Sequence, residues 1–425
     1  MSVASTTLRV LVPTTLLLAA CGDPLGPGNT EPITELPRAL STVERAIIGD
    51  ANVFGLTLMR EVASRDDRPN IVLSPLSASM ALGMTLNGTD GATFDAMRSA
   101  LGFSELSREE INDGYRSLID LLTGLDPDVR FGIANAIWSN EDITFHQAFF
   151  DAVSAAFDAR ATSADFQDPG TLREINRWVS DNTEGLIEKI LDEIDPDLAM
   201  LLLNAIYFDG AWTTRFDPED TRPADFTRED GSTVTVDMMN LTEGKLPMGG
   251  GDGYQAVELP YGGEAYAMVV LLPSGDQSAR GLLARLDDAE WARALGSLEQ
   301  REVDLVSLPR FTLAYDVYLN ESLQAMGMDI AFRPGADFSR MSSDGPFCID
   351  FVRQKTFIDV DERGTRAAAA TVVGVRRISF NGIIVDRPFV FAIRERLSGT
   401  ILFVGIVGDP TLEDSGDDRY TRTCG

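Results

Sequence analysis

The chain has 425 residues, and 66 Asp and Glu against 36 Lys and Arg leave a formal net charge of −30 at pH 7. Phosphates would be repelled by such a surface, which excludes nucleic acid and direct adsorption to anionic membranes, and no basic cluster exists to bind sulfated polysaccharides. The acidic residues are spread along the chain rather than blocked, a pattern that serves solubility. The length suits two or three domains, yet no break in composition divides residues 40 to 410, so one large mixed domain over 39–412 accounts for it, followed by a tail at 413–425.

In chain order, Arg9 precedes an apolar stretch from Val10 to Ala20, too short to span a bilayer as a helix and read as a signal peptide over residues 1–20. It ends in Leu18-Ala19-Ala20-Cys21, which resembles the bacterial lipobox. By that resemblance Cys21 is lipidated and becomes the first mature residue; an ordinary secretory signal cleaved near the same small residues is the alternative. Residues 21–38, rich in Pro and Gly, read as a flexible tether. Gly22 does not supply the aspartate that resembles an inner-membrane retention signal, so the expected location is the outer membrane, the cell surface or the medium. Helical spacing follows at Phe54, Leu58 and Val62, at Leu118, Leu121, Leu122 and Leu125, and over Leu172 to Ile194. Strands are predicted at Leu201–Phe208, Thr233–Met239, Tyr254–Leu259 and Ala267–Leu272, a helix at Ala279–Leu295, and strands again around Asp304–Phe311. Gly249 to Gly253 lacks the Lys-Ser/Thr of a phosphate loop and reads as a hairpin turn. Helices first and segregated strands later argue an α+β fold.

Val360 to Val373 is the most distinctive stretch. If it is extended, Thr365, Ala367, Ala369, Thr371 and Val373 share one face, all small or β-branched and uncharged, while Arg366 falls on the other. Such a face suits insertion into a packed sheet, where a large or charged residue would clash or stay unpaired. Four consecutive alanines also suit a helix. Val372, Val373 and Val375 favour the strand, and Gly364 offers a hinge. Two strands then follow, Val385–Arg394 and Gly399–Gly405.

These residues resemble the hinge and reactive loop of the serpin family. The resemblance extends from about Ala51 to Pro410. It includes Asn70-Ile71-Val72-Leu73-Ser74-Pro75-Leu76-Ser77, then Asn204-Ala205-Ile206-Tyr207-Phe208-Asp209-Gly210-Ala211-Trp212, then Phe226–Met239 and Leu308-Pro309-Arg310-Phe311, all in the family's order. It implies about nine helices and three sheets, with an exposed loop at about 362–384 above the largest sheet. It implies an irreversible inhibitor of serine, or cysteine, proteases: the cut loop enters the central sheet and carries the acylated protease with it. Glu362, Gly364, Thr365, Ala367, Ala369 and Thr371 then form the hinge. Counting from Glu362, the scissile bond is Ile378-Ser379, or Arg377-Ile378 if the loop is one residue shorter. Trp212, Arg310 and Glu362 correspond to the breach where the loop first enters. Ser74, Ser77, Asn204 and Gln354 correspond to the shutter behind the central strands, with glutamine where relatives often carry histidine.

Other chemistry finds little support. His146 is the single histidine, so a Ser-His-Asp or Cys-His hydrolase would depend on it, and no Gly-x-Ser-x-Gly elbow accompanies it. Three scattered cysteines do not make a zinc site, and no cofactor is expected. Cys348 and Cys424 are free to pair in an exported protein. The expected partners are a protease target and, through Cys21, a lipid bilayer, with the protein itself a monomer. A non-inhibitory binding or storage protein of the same fold is the alternative.

Overall fold

The computed structural model describes residues 31–242, 244–364 and 381–415. In order come α1 (Thr42–Ala63), β1 (Ile71–Leu73), α2 (Pro75–Leu86), α3 (Gly91–Ala100), α4 (Arg108–Leu122), β2 (Val129–Asn140), α5 (Gln147–Phe157), β3 (Arg160–Ala164), α6 (Pro169–Asn182) and β4 (Met200–Gly210). Then follow β5 (Arg222–Thr227), β6 (Thr233–Leu241), β7 (Gly244–Gly251), β8 (Tyr254–Tyr261), β9 (Tyr266–Pro273), α7 (Ala279–Ala284), α8 (Asp288–Gly296), β10 (Glu299–Val303), β11 (Leu305–Pro309) and β12 (Phe311–Tyr318). The last elements are α9 (Asn320–Leu323), β13 (Arg353–Val360), β14 (Gly382–Ile384), β15 (Phe389–Glu395), β16 (Ile401–Val407) and β17 (Asp414–Ser415).

Local chemistry sets the helix ends. Ser41 and Glu44 form a reciprocal capping box at α1, and Ser107 and Glu110 do so at α4. Ser74 caps α2 with Pro75 in its first turn, and almost every α2 side chain is buried, as expected of a helix passing through the core. The predicted helix over 172–194 stops at Asn182, because Glu184 and Gly185 adopt left-handed backbone (φ 51° and 80°). The predicted helix over 279–295 divides where Asp287 caps a second one. Gly249 to Gly251 belong to β7, and the turn itself is Asp252-Gly253.

A seven-stranded sheet, β1-β16-β15-β9-β8-β7-β10, carries the core, and β9, β15 and β16 are buried along their whole length. A second sheet runs β14-β11-β6-β5. The third comes in two halves, β3-β2-β4 and β13-β12-β17. Within them β2 and β4 are antiparallel from Val129↔Gly210 to Ser139↔Met200, and β12 and β13 from Phe311↔Val360 to Tyr318↔Arg353. An isolated bridge joins Ala211, just past β4, to Gly364, just past β13. Both strands therefore run toward the same end, side by side. Taking the halves as one large sheet parted along its length, the described residues form nine α-helices and three sheets, an α+β fold.

Candidate functional site

Among the described residues no strand ladder joins β4 to β13. A cleft of about 200 Å³ lies between them, walled by Leu202, Asn204 and Ile206 on β4 and by Gln354 and Thr356 on β13, with Ser74 and Ser77 below. Direction is the decisive property. Two strands running the same way leave a slot whose natural occupant runs the other way and is antiparallel to both. The chain beyond β13 already turns that way: Asp361 and Gly364 exchange backbone hydrogen bonds (3.0 and 3.2 Å), a tight reversal at the mouth of the slot. Two buried wall atoms, Asn204 Oδ1 and Thr356 Oγ1, have no hydrogen-bond partner among the described residues, the kind of group that an entering backbone satisfies.

The polar floor is built on the α2 cap. The Ser74 hydroxyl donates to the Leu402 carbonyl (2.8 Å) and accepts from the Ser77 N–H (3.3 Å). Gln354 grips the Ser74 backbone at both ends: its Oε1 accepts from the Ser74 N–H and its Nε2 donates to the Ser74 carbonyl, each at 3.0 Å. One neutral amide thus fastens β13 to α2 without a titrating group. Asn204 stands on the opposite wall, where its Nδ2 donates to Asn135 Oδ1 (2.7 Å) on the neighbouring strand. The structure places Ser74, Ser77 and Gln354 in one bonded group and Asn204 across the cleft from it.

At the mouth, Trp212 is buried and stacks on Tyr261, with ring centroids 4.4 Å apart and planes 13° apart. Its Nε1 donates to the Asp361 carbonyl (2.9 Å), tying the end of one half-sheet to the end of the other. The Phe216 N–H adds a bond to the Glu362 carbonyl (3.1 Å). The Glu362 side chain is 2% exposed and pairs with Arg310, itself 43% exposed, and accepts from Thr221 Oγ1 at 2.6 Å. Burial alone would raise this carboxyl. The bonds from Thr221, from its own backbone N–H and from Arg310 outweigh burial, and Glu362 lies below the ordinary carboxylate range. At Gly364 φ is +131°, and a Cβ there would meet the Gly210 carbonyl oxygen at 2.2 Å and the Trp212 nitrogen at 2.5 Å. Only glycine fits that crossing.

Thr221, Tyr261, Asn135 and the Asp361 carbonyl all belong to this site and none was expected from sequence. Thr221 lies 141 residues from Glu362, and a lone threonine ahead of a strand gives no local signal. Thr365, Ala367, Ala369, Thr371, Arg377, Ile378 and Ser379 lie outside the described residues, as does Cys21. Cys348, which lines the cleft, is disulfide-bonded, and Cys424 lies outside the described residues. His146 is exposed at the start of α5. Among the described residues no group of three His, Cys, Asp or Glu is placed to hold a metal ion, and no helix is long and apolar enough to cross a membrane.

Among the described residues nine helices and three sheets, the large one divided and closed at one end, define the class of protein, and comparison with known proteins gives it a family. Residues 50–410 match the family described as Serpin (serine protease inhibitor). Human neuroserpin is 31% identical over 398 residues, covering 89% of this chain and 95% of that protein. Iripin-5 of Ixodes ricinus is 33% identical over 369 residues, covering 84% and 93%. Among solved structures, the thermophilic serpin tengpin in its native state superposes with a TM-score of 0.79 at 32% identity, covering 89% of this chain and 97% of that one. Thyroxine-binding globulin in complex with thyroxine does so at 0.78 and 26%, covering 87% and 99%. The chain belongs to the serpin family, whose members are generally protease inhibitors rather than catalysts.

Proposed function

We propose that this protein is an irreversible inhibitor of serine proteases, and of cysteine proteases by the same route, that works by loop cleavage and insertion. The target's serine Oγ attacks the carbonyl carbon of Ile378, or of Arg377. The peptide C–N bond breaks, the amine of the next residue leaves with the hydroxyl's proton, and an ester joins protease to inhibitor. The freed hinge, Gly364 and Thr365 first, then runs down the slot between β4 and β13 with Ala367, Ala369 and Thr371 on its inward face. Movement of the ester with the strand pulls the protease's catalytic groups out of register before water can cleave it. Each molecule is consumed, so the protein is no enzyme. The observation that carries this reading is the pair of co-directional, unladdered strands with the chain already reversed at Gly364.

Arg377 would suit trypsin-like targets, whose specificity pocket is acidic; Ile378 would suit elastase-like or subtilisin-like ones. Mass spectrometry of the cut loop distinguishes them. The lipobox-like Cys21 supports a lipoprotein on the cell envelope, acting on this reading as a monomer, and the disulfide at Cys348 fits an exported, oxidising location. Incubation with a panel of serine proteases, followed by a denaturing gel, tests the whole reading: a covalent band at the combined mass is expected, and Thr365→Arg should convert the protein to a cleaved substrate with that band lost. An unchanged band in Thr365→Arg refutes hinge-first insertion. The second reading, a binding or storage protein, is favoured by the likeness to thyroxine-binding globulin, and it predicts no covalent band with any protease.

A further inference from the structure

We infer that the envelope-anchored protein turns its breach end, and with it the hinge of the bait loop at Gly364, toward the membrane, so that the protease it traps is one working at that surface. The inference rests on the anchor at Cys21 proposed above, and on where the chain from that anchor joins the body.

Among the described residues, the first one after the anchor that is tied to the body is Ile33. Its N–H donates to the Gly263 carbonyl (2.7 Å), and its side chain packs against the core over Gly263. A few residues on, Arg38 pairs with the buried Glu44 carboxylate (2.6 and 2.9 Å) and donates to Ser117 Oγ (2.8 Å). Two pins therefore fix the exit. Gly263 is one contact from the mouth of the slot. Its neighbour Gly262 donates to the Ala211 carbonyl (2.8 Å), Ala211 bridges to Gly364, and Trp212 bridges to Tyr261 in the same turn. Gly263 N–H also donates to Asp126 (2.9 Å), just ahead of the breach end of β2. The loop's other end, Asn381, is tied to Asp304 at the start of β11, and only the far end of that strand, about 17 Å on, reaches Arg310 and the breach.

Chain length then sets the geometry. Twelve steps from Cys21 to Ile33 reach at most about 40 Å. The eleven residues of β4 put the opposite end of the sheet, at Met200 and Arg353, a further 35 Å or so from the exit. The net charge of −30 opposes adsorption of the body to an anionic leaflet within a screening length of about 8 Å, so the body is not drawn over onto its far end. The exit end is left nearest the lipid.

The test uses the full mature protein on phosphatidylethanolamine–phosphatidylglycerol vesicles carrying a headgroup acceptor dye. A donor is placed at Thr123→Cys, exposed at the breach end, or at Asp197→Cys, exposed at the opposite end. Energy transfer from position 123 should be at least about twofold higher, given the length of the sheet between them. Equal or reversed transfer overturns the orientation. In a second arm, one protease is supplied either tethered to the same vesicles or coupled to beads wider than the tether's reach. Capture of the vesicle-bound form should be about tenfold faster or more, and Cys21→Ser should abolish the preference. Equal capture of both forms by the anchored protein overturns the partner assignment. If mass spectrometry finds Cys21 unacylated, the anchor reading fails by itself. Coupling a maleimide lipid to Cys21 then still asks whether the breach end faces the bilayer.

Discussion

Cutting the 365–380 span should raise the unfolding temperature, and the size of the rise follows from the slot. β13 offers eight residues of open edge and β4 eleven. A strand of eight residues between them uses both backbone groups of every residue, about sixteen hydrogen bonds at about 1 kcal/mol net each, or about 16 kcal/mol. Ordering those residues costs about 1.5 kcal/mol each, about 12 kcal/mol in all. About 4 kcal/mol remains before the half-buried wall side chains Leu202 and Ile206 lose their contact with water, which adds to it. At about 2 °C per kcal/mol for a chain of this size, the expected rise is about 8 °C or more. The assay is limited proteolysis with a subtilisin-like and a trypsin-like enzyme, mass spectrometry to place the cut at 377–379, and calorimetry of intact and cut protein. A cut at those bonds that leaves the transition unmoved, or lowers it, refutes insertion into this slot.

Gln354 fastens β13 to Ser74 without an ionising group, so the rate of heat-induced polymerisation should be flat between pH 5 and 8, and Gln354→His should make it pH-dependent across that range; a steep dependence in the unsubstituted protein refutes the role assigned to the amide. Glu362 has a depressed carboxyl, so its contribution is full above the ordinary value of 4.5 and is lost as pH falls through the lower folded value. Glu362→Gln should therefore cost about 1–3 kcal/mol at pH 7, less than a fully buried pair because Arg310 is half-exposed, and the deficit should vanish in strong acid; denaturant titrations at pH 7 and pH 3 give the comparison, and an equal deficit at both refutes the ion pair.

Much of the fold was legible because its signals are local. The four-residue spacing of Phe54, Leu58 and Val62 gave α1, and the continuous apolar runs in β9, β15 and β16 gave buried strands. Residues 183–194 misled for the same reason. Leu186, Ile187, Ile190 and Leu191 keep helical spacing, yet they line the cleft as irregular chain, because the left-handed pair at Glu184 and Gly185 ends the helix before tertiary packing claims those side chains. The parting of the large sheet has no local signature: it is a relation between strands more than 140 residues apart. The same holds for Gln354 and Ser74, separated by 280 positions, and for Thr221 and Glu362. Resemblance proposed Gln354 and Ser74 as a group, but the two-ended grip on the backbone is visible only in three dimensions. The parity of Thr365, Ala367, Ala369 and Thr371 needed only the sequence; those residues lie outside the described residues, and their place in the slot belongs to the proposed insertion.

The distribution of bonds separates two properties that the inhibitor reading needs to be independent. Around the slot, direct ties between the half-sheets concentrate at the mouth: the Ala211–Gly364 bridge, Trp212 Nε1 to Asp361, and Phe216 N–H to Glu362. Below it, β4 and β13 are each fastened to other elements, Asn204 to β2 and Gln354 to α2, and not to each other. On the proposed insertion, entry from the mouth would break the first set, so those bonds would resist its start and vanish once it began. The final ladder would form along the walls and owe nothing to them. Strengthening the mouth therefore slows insertion and spares its end state, while a large side chain at Ala367 or Ala369 leaves the start untouched and lowers the stability of the end state. A protein that must wait intact and then outrun hydrolysis of an ester needs a barrier at one end of the slot and a steep descent along the rest.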